Sequence, residues 1–211
     1  DSASGHSMKR EITGRILYYL DLLLPPLIRN SFIFKKIFND QNFKSVIISQ
    51  DINRIKKYYD PSKNNIISLE READITRRSL ELIISEISDS GYKKICDLGG
   101  GNLFLKNEIK KELGIDIDVL DFNYSNIDYG LTEYNLEEKL DFIEDNYYEF
   151  SISTHTIEHL LNSNQFLNEM RRITKNKIIL LFPKQMPYLY TPDTHINFFP
   201  YKFEVEKLFG K

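Results

Sequence analysis

Tryptophan is absent from the 211 residues, and only one cysteine is present. Set beside abundant Asn, Ile, Lys and Tyr, the missing tryptophan reads as base composition of a source genome rather than as function. A single thiol, Cys96, excludes an internal disulfide, so a reducing compartment is the simplest reading. No charged-then-apolar-then-small order marks a secretory signal, and residues 1–8 read as an expression remnant ahead of the natural sequence. The expected location is therefore cytoplasmic. Repeats and low-complexity tracts are also missing. No apolar run is long enough to span a bilayer: the richest, from Ile12 to Phe38, contains Asp21 and is broken by Pro25-Pro26. It reads as two short helices with a proline hinge. Such a segment could cap a pocket, pack on a second copy, or lie on a membrane surface, core or cap packing being the commoner outcome.

What remains is ordinary globular composition, with 41% apolar and 28% charged residues, in a chain long enough for one α/β domain and a modest additional segment. The net charge of -3 hides an asymmetry. Lys9 to Arg78 hold 14 Lys and Arg against 8 Asp and Glu, a net +6; Ser79 to Lys211 hold 14 against 22, a net -8. A basic N-terminal third can steer an anionic substrate, though a solvated helical surface explains the same charges. Lys56-Lys57-Tyr58-Tyr59 with Arg71, Arg77 and Arg78 admits the same two readings. Overall acidity disfavours nucleic acid as a partner.

Apolar periodicity predicts an amphipathic helix from about Ile67 to Ser88, stopped by Gly91. From Lys93 onward the texture changes. Short apolar runs at 94–98, 117–121, 150–153 and 177–182 read as strands, and Leu103 to Leu113 and Gln165 to Ile173 as helices. A further helix is expected to run through His159. Alternation of this kind predicts a parallel sheet with right-handed crossovers.

The most informative piece is Asp97-Leu98-Gly99-Gly100-Gly101-Asn102, where a strand should turn into a helix. Glycines there let the backbone approach a ligand, and the helix start presents free N–H groups. Asp121 ends the next strand, placed to hold ribose hydroxyls. A dinucleotide site wants a third glycine at position 104, which is Phe104. A ligand without a pyrophosphate fits better.

The stretch from about Lys93 to Phe203 resembles class I S-adenosylmethionine-dependent methyltransferases, in the group acting on small molecules, sugars and lipids. Asp97, Gly99 and Gly101 match the acidic residue and Gly-x-Gly of the first motif, with Leu103 in place of a frequent third glycine. Asp121 matches the acidic end of strand two. Tyr134-Asn135-Leu136 stands where the family has Asp-Leu near the adenine, Thr156-Ile157-Glu158-His159-Leu160 matches Val-Leu-Glu-His-Leu, and Arg171 to Pro183 matches the last helix and strand five. The cofactor set this resemblance implies is Asp97, Gly99, Gly100, Gly101, Asn102, Asp121, Phe122, Asn135, Leu136 and Thr154. The family normally closes its sheet with two more strands after strand five, for which little sequence remains.

Methyl transfer needs alignment, and a base where the acceptor is a hydroxyl. His155, Glu158 and His159 stand at i, i+3 and i+4, on one face if the helix begins by His155. His195 follows strand five. His155 and His195 are the leading base candidates, with His159 a third. A divalent metal on His155, Glu158, His159 and His195 is the sharper alternative. It resembles the Glu-x-x-Glu-His plus distant His of small-RNA 2′-O-methyltransferases, with His155 replacing the first Glu and favouring a softer ion.

The expected fold is α/β: a Rossmann-like, mostly parallel sheet over 91–211, flanked by helices, with an N-terminal helical cap over 9–90 and a shortened C-terminal hairpin. The expected activity is methyl transfer from S-adenosylmethionine to an oxygen of a small-molecule or glycan-type acceptor, the basic residues suiting an anionic one, and self-association into a homo-oligomer would cover an exposed sheet edge. A nicotinamide-dependent enzyme and a non-catalytic module or partner subunit of the same fold are the competing readings.

Overall fold

The computed structural model describes residue 19, 22–29, 31–33, 49, 51, 53, 75–101, 103–121, 131–186 and 195–209. The chain divides into two units, Ile52–Phe182 and, separately, Asp1–Asp51 with Pro183–Lys211. The boundary expected at residue 90 thus falls inside the first of these.

Among the described residues of Ile52–Phe182, five strands run in chain order: β1 (Ile95–Leu98), β2 (Asp118–Asp121), β3 (Leu131–Glu133), β4 (Tyr148–Thr154) and β5 (Thr174–Leu181). They form one sheet in the order β3-β2-β1-β4-β5, and every pairing is parallel. β1 is central and all four of its residues are buried, which is what the uninterrupted Ile95-Cys96-Asp97-Leu98 run required. β3 escaped the sequence reading because three residues carry no periodicity to detect. Among the described residues no strand follows β5.

The helix after residue 76 spans Arg77–Ser90. The Thr76 hydroxyl accepts the Ser79 N–H at its start, and Gly91, at φ 69°, closes its end by donating to the Ile87 carbonyl. Ile75 and Thr76, expected inside a helix from about Ile67, instead precede it, Thr76 at φ -68° and ψ 149° because its side chain caps the first turn; residues 67–74 lie outside the described residues. A second helix, Phe104–Leu113, ends at Gly114 in the same left-handed conformation. Ile83 and Ile87 of the first helix and Leu105 and Ile109 of the second meet Ile95, Val119, Phe150 and Ile152 of the sheet in one apolar cluster. Each such side chain contributes about 1.5–3 kcal/mol by leaving water. Cys96, Leu98 and Leu120 alternate with these residues and are buried as well, so both faces of the sheet are covered.

A third helix, Ser163–Ile173, buries Phe166, Leu167, Met170 and Ile173. At its C-terminal end Arg172 donates to the carbonyls of Leu140 and Ile143 and to Asp145 and Glu169, each at 2.8 Å. That fan of bonds ties the loop before β4 to the helix after it. The helix expected to run through His159 is instead a three-residue 3-10 turn, Ile157–His159. His155 adopts φ 53°, a left-handed conformation that a helix cannot include, so regular structure begins only after Thr156.

The other unit contributes the short helices Pro26–Arg29 and Lys202–Leu208. Of the cap expected over 9–90, only the residues named above are described.

Candidate functional site

Parallel strands end together, and here the register sets Leu98 beside Leu120 and Thr154 beside Leu181. The residues just past those ends are Gly99 to Gly101, Asp121 and His155. They share the carboxyl edge of the sheet, where open α/β sheets take their ligands.

The turn leaving β1 is glycine-dependent at two positions. Gly99 has φ 90°, and a Cβ there would stand 2.0 Å from the Thr156 hydroxyl oxygen. Its N–H donates to the Leu120 carbonyl at 2.7 Å, which pins the turn to β2. Gly101 has φ 35°, yet the nearest atom to a Cβ there is Asp121 Oδ2 at 3.8 Å. Backbone conformation alone therefore favours glycine at 101, whereas conformation and the packed Thr156 side chain both require it at 99. Leu103 continues the irregular path at φ 61° and starts the helix without a side-chain cap. Asn102 lies outside the described residues.

Two carboxylates face this turn. Asp121, half-buried at the end of β2, accepts the Gly101 N–H at 2.9 Å. Asp97 is fully buried, and both of its carboxylate oxygens lack a hydrogen-bond partner. Burial, with the Asp121 charge adding to it, pushes the Asp97 carboxyl up to about 7. Gly100 lies against it: a Cβ at 100 would sit 2.7 Å from Asp97 Oδ2. A buried acid with two orphaned oxygens beside a glycine turn is costly, and structures keep such groups where a ligand meets them.

The adenine-side residues fare differently. Leu136 is buried. Asn135 spends its side chain locally, Nδ2 donating to Glu138 Oε1 at 3.0 Å and Oδ1 accepting the Glu137 N–H at 3.1 Å. Asn135 is thereby held in a turn of its own. Phe122 lies outside the described residues.

At the end of β4, Thr154 is half-buried and its carbonyl accepts the Thr156 hydroxyl at 3.2 Å. The His155 N–H donates to the Leu181 carbonyl at 2.8 Å, and its ring Nδ1 lies 3.2 Å from Glu158 Oε1. The Glu158 side chain is 1% exposed and its Oε2 has no partner, while the His155 ring keeps 26% exposure. The expected i, i+3 contact is thus made, but by a left-handed residue and a 3-10 turn rather than by a continuous helix. His159 is half-buried on that turn. His195 belongs to the other unit, where its ring Nδ1 meets Gln185 Oε1; the preceding Thr191 to Thr194 lie outside the described residues.

Solved methyltransferases share the likeness of this chain. A SAM dependent methyltransferase from Aquifex aeolicus is 20% identical, over 76% of this chain and 86% of that one, with a TM-score of 0.46. One from Archaeoglobus fulgidus is 23% identical, over 46% and 49%, with a TM-score of 0.36. The [4+2]-cyclase SpnF is 10% identical, over 58% and 56%, with a TM-score of 0.43. The match spans about half the length of the last two. No protein-family model and no curated protein sequence matches the chain. Likenesses this distant, one of them to a cyclase, name no reaction, and function has to be argued from the site.

Thr156 is the residue that sequence reasoning passed over. Its hydroxyl fills the space a Gly99 side chain would take and reaches the Leu98 carbonyl at 3.4 Å. A small hydroxyl residue one position past His155 was its only signal.

Proposed function

We propose that this chain is an S-adenosylmethionine-dependent methyltransferase acting on an oxygen of a small-molecule or glycan-type acceptor. The observation that carries the cofactor is the pair of carboxylates at the glycine turn, one of them buried with both oxygens unpartnered. Two acids suit a ligand with ribose hydroxyls and cationic groups, and Phe104 in place of the third glycine that a pyrophosphate needs counts against a nicotinamide enzyme. The residues present fit that group: Asp121 for the ribose, Asp97 for a cationic or hydroxyl donor, and Gly99 to Gly101 for close backbone approach. When bound, the cofactor supplies an activated methyl group on its sulfonium.

The chain's own part is to align and to take a proton. His155 stands at the same sheet edge with Nδ1 toward Glu158. In the tautomer that donates Nδ1–H to Glu158, Nε2 is left as an acceptor for the proton of an acceptor hydroxyl, and Glu158 then faces the resulting imidazolium. His159 and His195 are the further candidates for contact with the acceptor. The second reading is a divalent metal, favoured by one observation, the orphaned Oε2 of the buried Glu158, whose carboxylate lies within 4.8 Å of a ring nitrogen of His159; His155, expected as a ligand, meets Oε1 of the same carboxylate and is not in that group. A donor set of imidazoles with one carboxylate suits a borderline ion such as zinc. The basic residues of the N-terminal third suit an anionic acceptor.

The test is isothermal titration with S-adenosylhomocysteine, beside an Asp121→Ala variant and with NAD as control. Saturable binding that the variant loses, with no heat from NAD, is expected. Binding of NAD, or none of either, refutes the cofactor reading. Binding without turnover over a panel of hydroxyl acceptors, with and without zinc, favours a non-catalytic module.

A further inference from the structure

The segment before residue 34 is richer in exposed apolar side chains than any other described part of the chain. Leu22, Leu23, Leu27, Phe32 and Ile33 are each more than 60% exposed, and Tyr19 and Ile28 about half exposed. Scattered exposed leucines are unremarkable, but this many within fifteen residues make a sticky surface that water would penalise. The segment lacks what a spanning helix needs. Pro25 and Pro26 interrupt it, Pro26 opens a helix of only four residues, and no described helix is long and apolar enough to cross a membrane.

Charge decides what covers this surface. From Lys9 to Lys36 the sequence holds six Lys and Arg against two Asp and Glu, although the whole chain is net -3. A second copy carries the same net positive charge in this stretch of sequence, whereas an anionic surface is complementary to it. Apolar side chains flanked by excess positive charge match an anionic bilayer, which offers a hydrocarbon boundary for the leucines and phosphate for the cations at once.

We propose that residues 19–33 dock this protein on the surface of an anionic membrane, lying in the interface rather than crossing it. Docking holds the enzyme at the membrane surface and thereby favours acceptors presented there. The proposal does not depend on the methyltransferase reading, because it is read from lipid binding alone.

The experiment is flotation of the whole chain with phosphatidylcholine vesicles, with and without phosphatidylglycerol, at low and high salt. Leu23→Asp and Leu27→Asp serve as variants. Both side chains are largely exposed, 75% and 89%, so their loss leaves the fold intact, which circular dichroism confirms. Expected is flotation with phosphatidylglycerol vesicles, reduced by salt, with partitioning about tenfold weaker for each substitution. Three results overturn the proposal. One is absence of flotation. Another is flotation unchanged by either substitution. The third is a dimer in light scattering that the substitutions dissolve while vesicles fail to bind, which would make a second copy the occupant.

Discussion

Replacing Asp97 with Asn should stabilise the free protein and cripple the proposed cofactor site, because the same orphaned carboxylate underlies both expectations. Asp97 is fully buried, and its carboxyl is pushed from its ordinary value near 3.8 up to about 7, by burial first and the Asp121 charge second. A displacement of that size corresponds to about 4 kcal/mol against the folded state once the group is ionised in both states. The sign follows from the raised folded value. Below about pH 4 both folded and unfolded chains hold the proton and nothing is lost. Between about 4 and 7 the unfolded chain releases its proton first, so stability falls as pH rises. Above about 7 the loss is constant. Asn removes the ionisation but leaves an unpartnered buried amide, which costs about 1–3 kcal/mol. The net gain at pH 8 is then about 1–3 kcal/mol, or about 3–10 °C in Tm for a chain of this length. Urea denaturation of both proteins at pH 4.5, 6 and 8, beside calorimetric titration with S-adenosylhomocysteine, checks this. The stability difference should widen with pH while affinity drops. A variant less stable than the parent at pH 8, or one that binds S-adenosylhomocysteine equally well, refutes the reasoning.

Gly99→Ala should cost about 3 kcal/mol or more in denaturant melts, because the new Cβ meets Thr156 backed by the Leu98 carbonyl and φ 90° suits no L side chain; a loss below about 1 kcal/mol would show the turn to be pliant. Arg172→Met should lower stability by about 2–4 kcal/mol, since it strands the Ile143 carbonyl, takes a donor from the Leu140 carbonyl and leaves buried Glu169 without its cation; the Arg172 guanidinium holds the Glu169 carboxyl below its usual range, so this contribution is present at neutral pH and fades as pH falls through that lowered value, which a pH series of melts would reveal. His155→Asn, in which Asn tolerates the left-handed backbone, should leave S-adenosylhomocysteine affinity within about twofold while removing turnover on a hydroxyl acceptor; retained turnover would move the base elsewhere.

Local signals carried much of this protein. The run Ile95-Cys96-Asp97-Leu98 before three glycines marks the central strand and the turn that leaves it, because a buried parallel strand is built mainly from apolar residues and a left-handed turn favours glycine. Gly91 and Gly114 end their helices for the same backbone reason. Asp121 could be placed by spacing, since one crossover separates it from the turn. Longer-range properties were not legible. Spacing put His155, Glu158 and His159 on one helix face, but the hydrogen bond from the His155 N–H to the Leu181 carbonyl draws His155 to the β5 side and forbids the helix. Asn135 bonds Glu138 and the Glu137 N–H within its own turn, contacts that its place in the sequence did not announce. Nor does any sequence pattern say that a carboxylate will be left without partners. The absence of a bond at Asp97 depends on what β2, the Gly100 backbone and Val119 place around it. Backbone conformation at a glycine is decided within a few residues. The dielectric around a carboxylate, and the bonds it is denied, are decided only when distant strands close over it.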